Sequence, residues 1–244
     1  AIWLPLIFWL LWRAFARPGA WHWWIGAGIA YAVAFLAGHP QTFLFASYAM
    51  GAWMVFLWIA GLLCRDSERS KRALSQAIGV AALLIVAAGL SAAQALPSVE
   101  FTALSVRANV DYDFVSGGFP LQDTWQLLLP GVLTIYSPLY IGVIGLGLAA
   151  AAALTLLDGG SRATSARAGT APRPASTRSV ILFFGILALI ALLLSYGGNA
   201  FLYPIFHRLA PGWNLFRGQE RVAYVVAFGL SVLAGFGAAA IPLA

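Results

Sequence analysis

The sequence predicts a polytopic, all-α membrane protein: a bundle of about seven transmembrane helices with two long loops on the outer face. Three observations predict it. The chain is 61% hydrophobic and 9% charged, with a mean hydropathy of +0.86, whereas a soluble domain carries roughly 25% charged residues. It contains several apolar runs of about 17 to 24 residues, the length a helix needs to cross about 30 Å of hydrocarbon. Its basic residues are concentrated in alternate short loops, the asymmetry that marks the cytoplasmic side of a membrane protein.

The runs follow one another with clear punctuation. Residues 1–12 are followed by Arg13, Arg17 and the turn signal Pro18-Gly19, and residues 23–37 end at Gly38-His39-Pro40. Proline cannot extend a helix and turns the residue before it away from helical angles, so a tight reversal is expected at His39. Residues 43–64 form a third span and residues 73–96 a fourth, separated by the mixed but net basic loop 65–72. A long polar loop is expected to follow the fourth span, from Pro97 to Pro130. That loop holds Glu100, Asp111, Asp113 and Asp123, half of the chain's 8 acidic residues. Within it, residues 122–130 are too short to cross the membrane and are expected at the interface or re-entering. Residues 140–157, 180–194 and 222–241 complete the seven. The Ala, Ser, Pro and Arg tract 158–179 reads as a flexible cytoplasmic loop, and the polar stretch 195–221 as the second long outer loop. The chain as a whole is expected to form one transmembrane domain, residues 1–244.

The charge count fixes the expected orientation. Loops 13–20, 65–72 and 158–179 hold ten of the 14 Lys and Arg residues, and only Arg107, Arg208, Arg217 and Arg221 fall on the other side. The first set is therefore expected in the cytoplasm and the polar loops outside. In this setting a pI near 9.9 reports topology, so no nucleic-acid partner is expected. Cys64 is the only cysteine, which excludes an intrachain disulfide framework and a thiol metal site. Residues 1–12 lack the basic flank and cleavage site of a signal peptide and read as the end of a span already under way, so a longer natural chain is expected.

Candidate chemistry gathers in the outer loops. In an extended loop Asp111 and Asp113 share a side, where they can hold one divalent cation or a general base; turn and cap roles are the ordinary alternative. Arg217 and Arg221 bracket Gly218-Gln219-Glu220 immediately before the last span. Guanidinium groups there can clamp a lipid phosphate, or simply snorkel with Glu220 as a neutralising neighbour. His39 can act as acid, base or phosphate donor, or as a helix cap. The Gly197-Gly198 pair reads first as a helix C-cap, and His207 as an ordinary interface residue. Trp125 and Trp213 are candidates for stacking on a sugar ring. The spans carry almost no ionisable side chain, which argues against an ion path through the bilayer. No HExxH, Walker glycine loop, G-x-S-x-G elbow or Cys/His cluster occurs.

Several of these segments together carry a family resemblance. The blocks AGHPQTFLF, EFTALSVR with DYDFV, LLLPG, SPLYIGVIGL, LSYGGN and FRGQER occur in an order that resembles the bacterial YfhO-type membrane proteins, a family similar to the GT-C glycosyltransferases. The resemblance implies a multi-pass protein of the bacterial cytoplasmic membrane. It implies transfer, on the outer face, of sugar from a polyprenyl-phosphate-linked donor to a cell-envelope glycan or glycopolymer acceptor. It also implies an acidic catalytic residue in the first outer loop, expected upstream of Ala1, so the 244 residues alone are expected to lack transferase activity. The substrate-binding residues it suggests are His39, Gln41, Arg107, Asp111, Asp113, Arg217, Gln219, Glu220 and Arg221. Of these, Arg217 and Arg221 are assigned to the donor phosphate, and Asp111 or Asp113 to sugar hydroxyls or a cation. A lipid-linked saccharide exporter and a non-enzymatic envelope scaffold are the other function classes.

Overall fold

A computed structural model describes residues 2–63, 69–104, 111–132, 138–157 and 173–241. Arg107 and most of the 158–179 loop lie outside the described residues. Every described element is helical, and contacts divide the chain into two compact units. The first comprises Ala1–Asn109 with Ala171–Ala175, and the second Val110–Thr170 with Ser176–Ala244.

The first unit is built from α1 (Trp3–Ala16), α2 (Trp21–Leu36), α3 (Pro40–Leu63) and α4 (Arg69–Leu104). Its core is aromatic. Trp53 stacks on Phe8 at 5.4 Å and donates its indole N–H to the Phe8 carbonyl at 3.2 Å. Trp24 is fully buried against Gly79, where any β-carbon would strike the indole, so α2 and α4 pack closely. α3 starts where the His39-Pro40 turn predicts: proline occupies the first helical position, where its missing N–H costs nothing.

The end of α4 departs from expectation. Pro97 sits inside the helix, which continues to Leu104, so the first residues of the loop expected from Pro97 are helical. Proline forfeits the bond to the carbonyl four residues back. That carbonyl is Ala93 O; around it, the Ser98 hydroxyl donates to Gln94 O at 2.7 Å and the Thr102 hydroxyl to Ser98 O at 2.7 Å.

The second unit contains α5 (Tyr112–Val115), α6 (Val143–Leu154), α7 (Thr177–Ser195), α8 (Leu202–Leu209) and α9 (Ala223–Ala240), with short 3-10 helices at Leu121–Leu127, Gly197–Asn199 and Gln219–Val222. α7 begins inside the stretch expected as loop, because Ser176 caps it by accepting a 3.1 Å bond from Ser179 N–H. α9 packs against both α6 and α7; at Gly237 the contact is so close that a side chain would strike the Leu148 carbonyl.

Among the described residues, four helices are long and apolar enough to cross a membrane: Pro40–Leu63, Ser70–Thr102, Thr177–Ser195 and Gln219–Ala240. α1, α2 and α6 have 14, 16 and 12 residues, about 18–24 Å at 1.5 Å per residue, shorter than the hydrocarbon core. Large apolar side chains such as Val55, Ile85, Leu96 and Ile186 face outward on the long helices, as lipid contact requires. The chain is a helical, multi-pass membrane protein.

Candidate functional site

The second unit brings three sequence-distant segments together: residues 111–128, 195–199 and 213–222. The first two meet backbone to backbone. Phe119 N–H donates to Ser195 O at 2.9 Å and Gly198 N–H donates to Ser116 O at 2.6 Å. Side chains are excluded from this seam, since a β-carbon on Gly118 would strike the Tyr196–Gly197 backbone and one on Gly197 would strike Ser116 O. Gly197 also takes a positive φ of 54° just past the end of α7, the position where a helix commonly closes on glycine. Asn199 donates its side-chain amide to Phe119 O at 2.9 Å, and the Thr124 and Tyr196 hydroxyls lie 2.6 Å apart. Gly197 and Gly198 thus act as cap and seam.

The third segment is anchored by Gln219. Its backbone N–H donates to Gly117 O at 2.8 Å. Its side-chain Nε2 lies within bonding distance of Phe216 O (2.7 Å), Val115 O (3.2 Å) and the Tyr203 hydroxyl (3.4 Å). Tyr203, itself fully buried, lies 3.1 Å from Val115 O and 3.4 Å from Trp213 O. Burial pushes the Tyr203 phenol up to about 12; the nearby Tyr112 adds to the rise, and the Gln219 hydrogen bond opposes it. Trp213 is buried against Tyr203 and Phe206. This corrects its expected role as a sugar-stacking residue, because its faces are already covered. Trp125, 61% exposed, retains an open face.

An open cleft of about 700 Å³ lies on this framework, lined by Phe114, Gly117, Gly118, Phe119, Asp123, Pro138, Arg217, Gly218, Glu220 and Arg221. Gly218 adopts a left-handed conformation (φ 79°) that turns the chain between the two arginines. Arg217 and Arg221 are exposed and Glu220 is half-buried. The Arg217 guanidinium lies 5.3 Å from the Phe114 ring centre, within cation–π range.

Asp123 is the cleft residue that sequence reasoning did not select. It is 4% exposed and lines the cleft. Its carboxylate makes no hydrogen bond or ion pair with the described residues. It sits on the 3-10 helix Leu121–Leu127, where residues three apart share a face. That face is polar and buried (Asp123 and Gln126), whereas Leu121, Trp125, Leu128 and Leu129 point outward. A polar-in, apolar-out pattern was the available signal: Asp and Gln three apart, interleaved with Leu and Trp.

The expected site residues divide as follows. Arg217, Glu220 and Arg221 line the cleft. Gln219 is 1% exposed with its amide Nε2 committed to the fold, so it positions the segment that carries the arginines. Asp111 and Asp113 are exposed, and the extended backbone that would set them on one side is not kept. Asp111 precedes α5 in extended conformation and Asp113 lies within it, and helical residues do not face their neighbours two positions away. Among the described residues, no three His, Cys, Asp or Glu side chains cluster to hold a metal ion. His39 and Gln41 belong to the first unit. His39 is exposed and caps α3: its Nδ1 accepts from Thr42 N–H at 3.2 Å and lies 2.8 Å from the Thr42 hydroxyl. Gln41 is buried on the first turn of the same helix.

Compared with protein-family models, with curated proteins and with solved structures, the chain matches none.

Proposed function

We propose that the chain is part of a membrane-embedded glycosyltransferase-like protein that handles a polyprenyl-phosphate-linked sugar on the outer face of the bacterial cytoplasmic membrane, for modification of a cell-envelope glycan. In this reading the cleft of the second unit receives the donor's phosphate. One observation carries it: Arg217 and Arg221 line a single cleft at the start of the membrane-length helix Gln219–Ala240, the level at which a lipid head group meets the protein. Guanidinium offers paired N–H donors that match phosphate oxygens, and both groups are accessible. The meeting of DYDFV, YGGN and FRGQER around this cleft supports the reading, because these blocks carry the resemblance to the YfhO-type proteins and are far apart in sequence.

The test is lipid binding by the chain in nanodiscs, with polyprenyl phosphate and the phosphate-free polyprenol as probes. Wild type is expected to retain the phosphate and discriminate against the alcohol. The double variant Arg217→Ala, Arg221→Ala is expected to lose at least about tenfold in affinity, the scale of a charge-assisted contact. Equal binding of the two lipids, or an unchanged affinity in the double variant, would refute the phosphate assignment.

A further inference from the structure

The cleft holds a second recognition element, chemically distinct from the arginines. Asp123 is 4% exposed, lines the cleft, and its carboxylate has no hydrogen-bond or ion-pair partner among the described residues. The carboxylate therefore stands in the cleft as an acceptor that the described residues leave uncommitted. A ligand that brings hydroxyl donors can use it, and hydrogen bonds to a charged group are among the stronger ones. The cleft also presents Phe114, 58% exposed, whose ring face away from the Arg217 guanidinium suits the C–H side of a pyranose. The wall around Asp123 is therefore suited to a ring that is apolar on its faces and hydroxylated at its edge.

From this arrangement we infer that Asp123 accepts hydrogen bonds from the hydroxyl groups of the sugar carried by the donor lipid, and so distinguishes a glycosylated lipid phosphate from the bare one. The inference rests on the phosphate reading above and adds to it. Arg217 and Arg221 recognise the group that both lipids share; Asp123 recognises the group that only the loaded donor has. Asp123 is a specificity residue in this scheme. The chemistry of transfer is assigned to no residue of the cleft.

The experiment compares glucosyl polyprenyl phosphate with bare polyprenyl phosphate on the chain in nanodiscs. Wild type is expected to prefer the glucosylated lipid by about tenfold, the value of one or two hydrogen bonds to a charged acceptor. Asp123→Asn is expected to abolish that preference without weakening affinity for the bare lipid, since the arginines are untouched and one negative charge leaves the cleft that receives the phosphate. Equal wild-type affinity for the two lipids, or a preference that survives Asp123→Asn, overturns the inference and leaves the phosphate reading standing. Failure of wild type to bind either lipid overturns both. A second measurement on wild type guards against misfolding of the variant: carbodiimide-driven amine coupling to Asp123, read by mass spectrometry. The glucosylated lipid is expected to slow that coupling more than the bare lipid does, and equal rates overturn the inference.

Discussion

The side-chain amide of Gln219 donates a 3.2 Å hydrogen bond to the carbonyl oxygen of Val115, 104 residues earlier in the chain. This bond ties the segment that carries the two arginines to the segment that carries the aromatic wall of the cleft. Gln219→Leu keeps most of the volume but strands the Phe216 carbonyl and weakens the satisfaction of Val115. The expected cost is about 2 kcal/mol, read as a lowered thermal midpoint in detergent. Gln219→Glu is expected to cost more, because it sets a carboxylate against the same carbonyl oxygens. A Glu variant as stable as wild type would contradict this account.

Gly218 is held at φ 79°, and a β-carbon there would lie 2.9 Å from Glu220 Oε1. The Glu220 side chain is flexible and can swing away, so the backbone sets the cost. Gly218→Ala is expected to destabilise by about 1–2 kcal/mol and to weaken lipid-phosphate binding severalfold by rotating Arg217 relative to Arg221. Binding measured alongside melting separates the two effects, since Gly218→Asn, which tolerates left-handed angles, should restore both in part.

Tyr203 gives the site an alkaline limit. Its phenol is pushed up to about 12 from an ordinary value of 10.0, so the folded protein holds this proton more tightly than the unfolded chain. The resulting stability is fully present below pH 10 and is lost as pH rises toward 12. Ultraviolet titration of the 8 tyrosines should show a late phase after the exposed ones, and Tyr203→Phe should reduce the amplitude of that phase by one tyrosine. Titration of Tyr203 together with the rest would show that it is not shielded as the structure indicates.

His39 caps α3 through Nδ1, which accepts from Thr42 N–H. His39→Ala is expected to cost about 1 kcal/mol and to speed amide exchange in the first turn of α3, while His39→Asn should keep most of the cap. If His39→Asn instead abolished lipid binding as fully as the double arginine variant, a purely capping role would be untenable.

The helical class was legible because apolar runs survive any error at their ends. The ends were less so. The run from residue 140 becomes helical only at Val143, after Gly142 takes a φ of 87°, and the run before Pro97 continues through the proline to Leu104. Among the described residues, four helices reach membrane length, where apolar composition predicted about seven spans. In the site, Arg217 and Arg221 were identifiable as arginines on the side that the topological rule disfavours, with Glu220 between them. Asp111 and Asp113 drew notice through their spacing, which assumes an extended chain, and α5 removes that assumption. Asp123 passed unremarked because burial of one acid among four in a polar loop depends on which way a short 3-10 helix faces, and tertiary contacts decide that. Trp213 and Gln219 were misjudged for the same reason: each looked like a loop residue and is a core residue.

The seam at Gly118 and Gly197 has a mechanical consequence. Two backbones joined by a 2.9 Å and a 2.6 Å hydrogen bond, with no side chain between them, have no compliant layer to absorb relative movement. The end of α7 and the wall that bears Asp123 must therefore travel as one piece. A tilt of α7, such as a thicker or thinner bilayer imposes on a membrane helix, therefore carries that wall of the cleft with it.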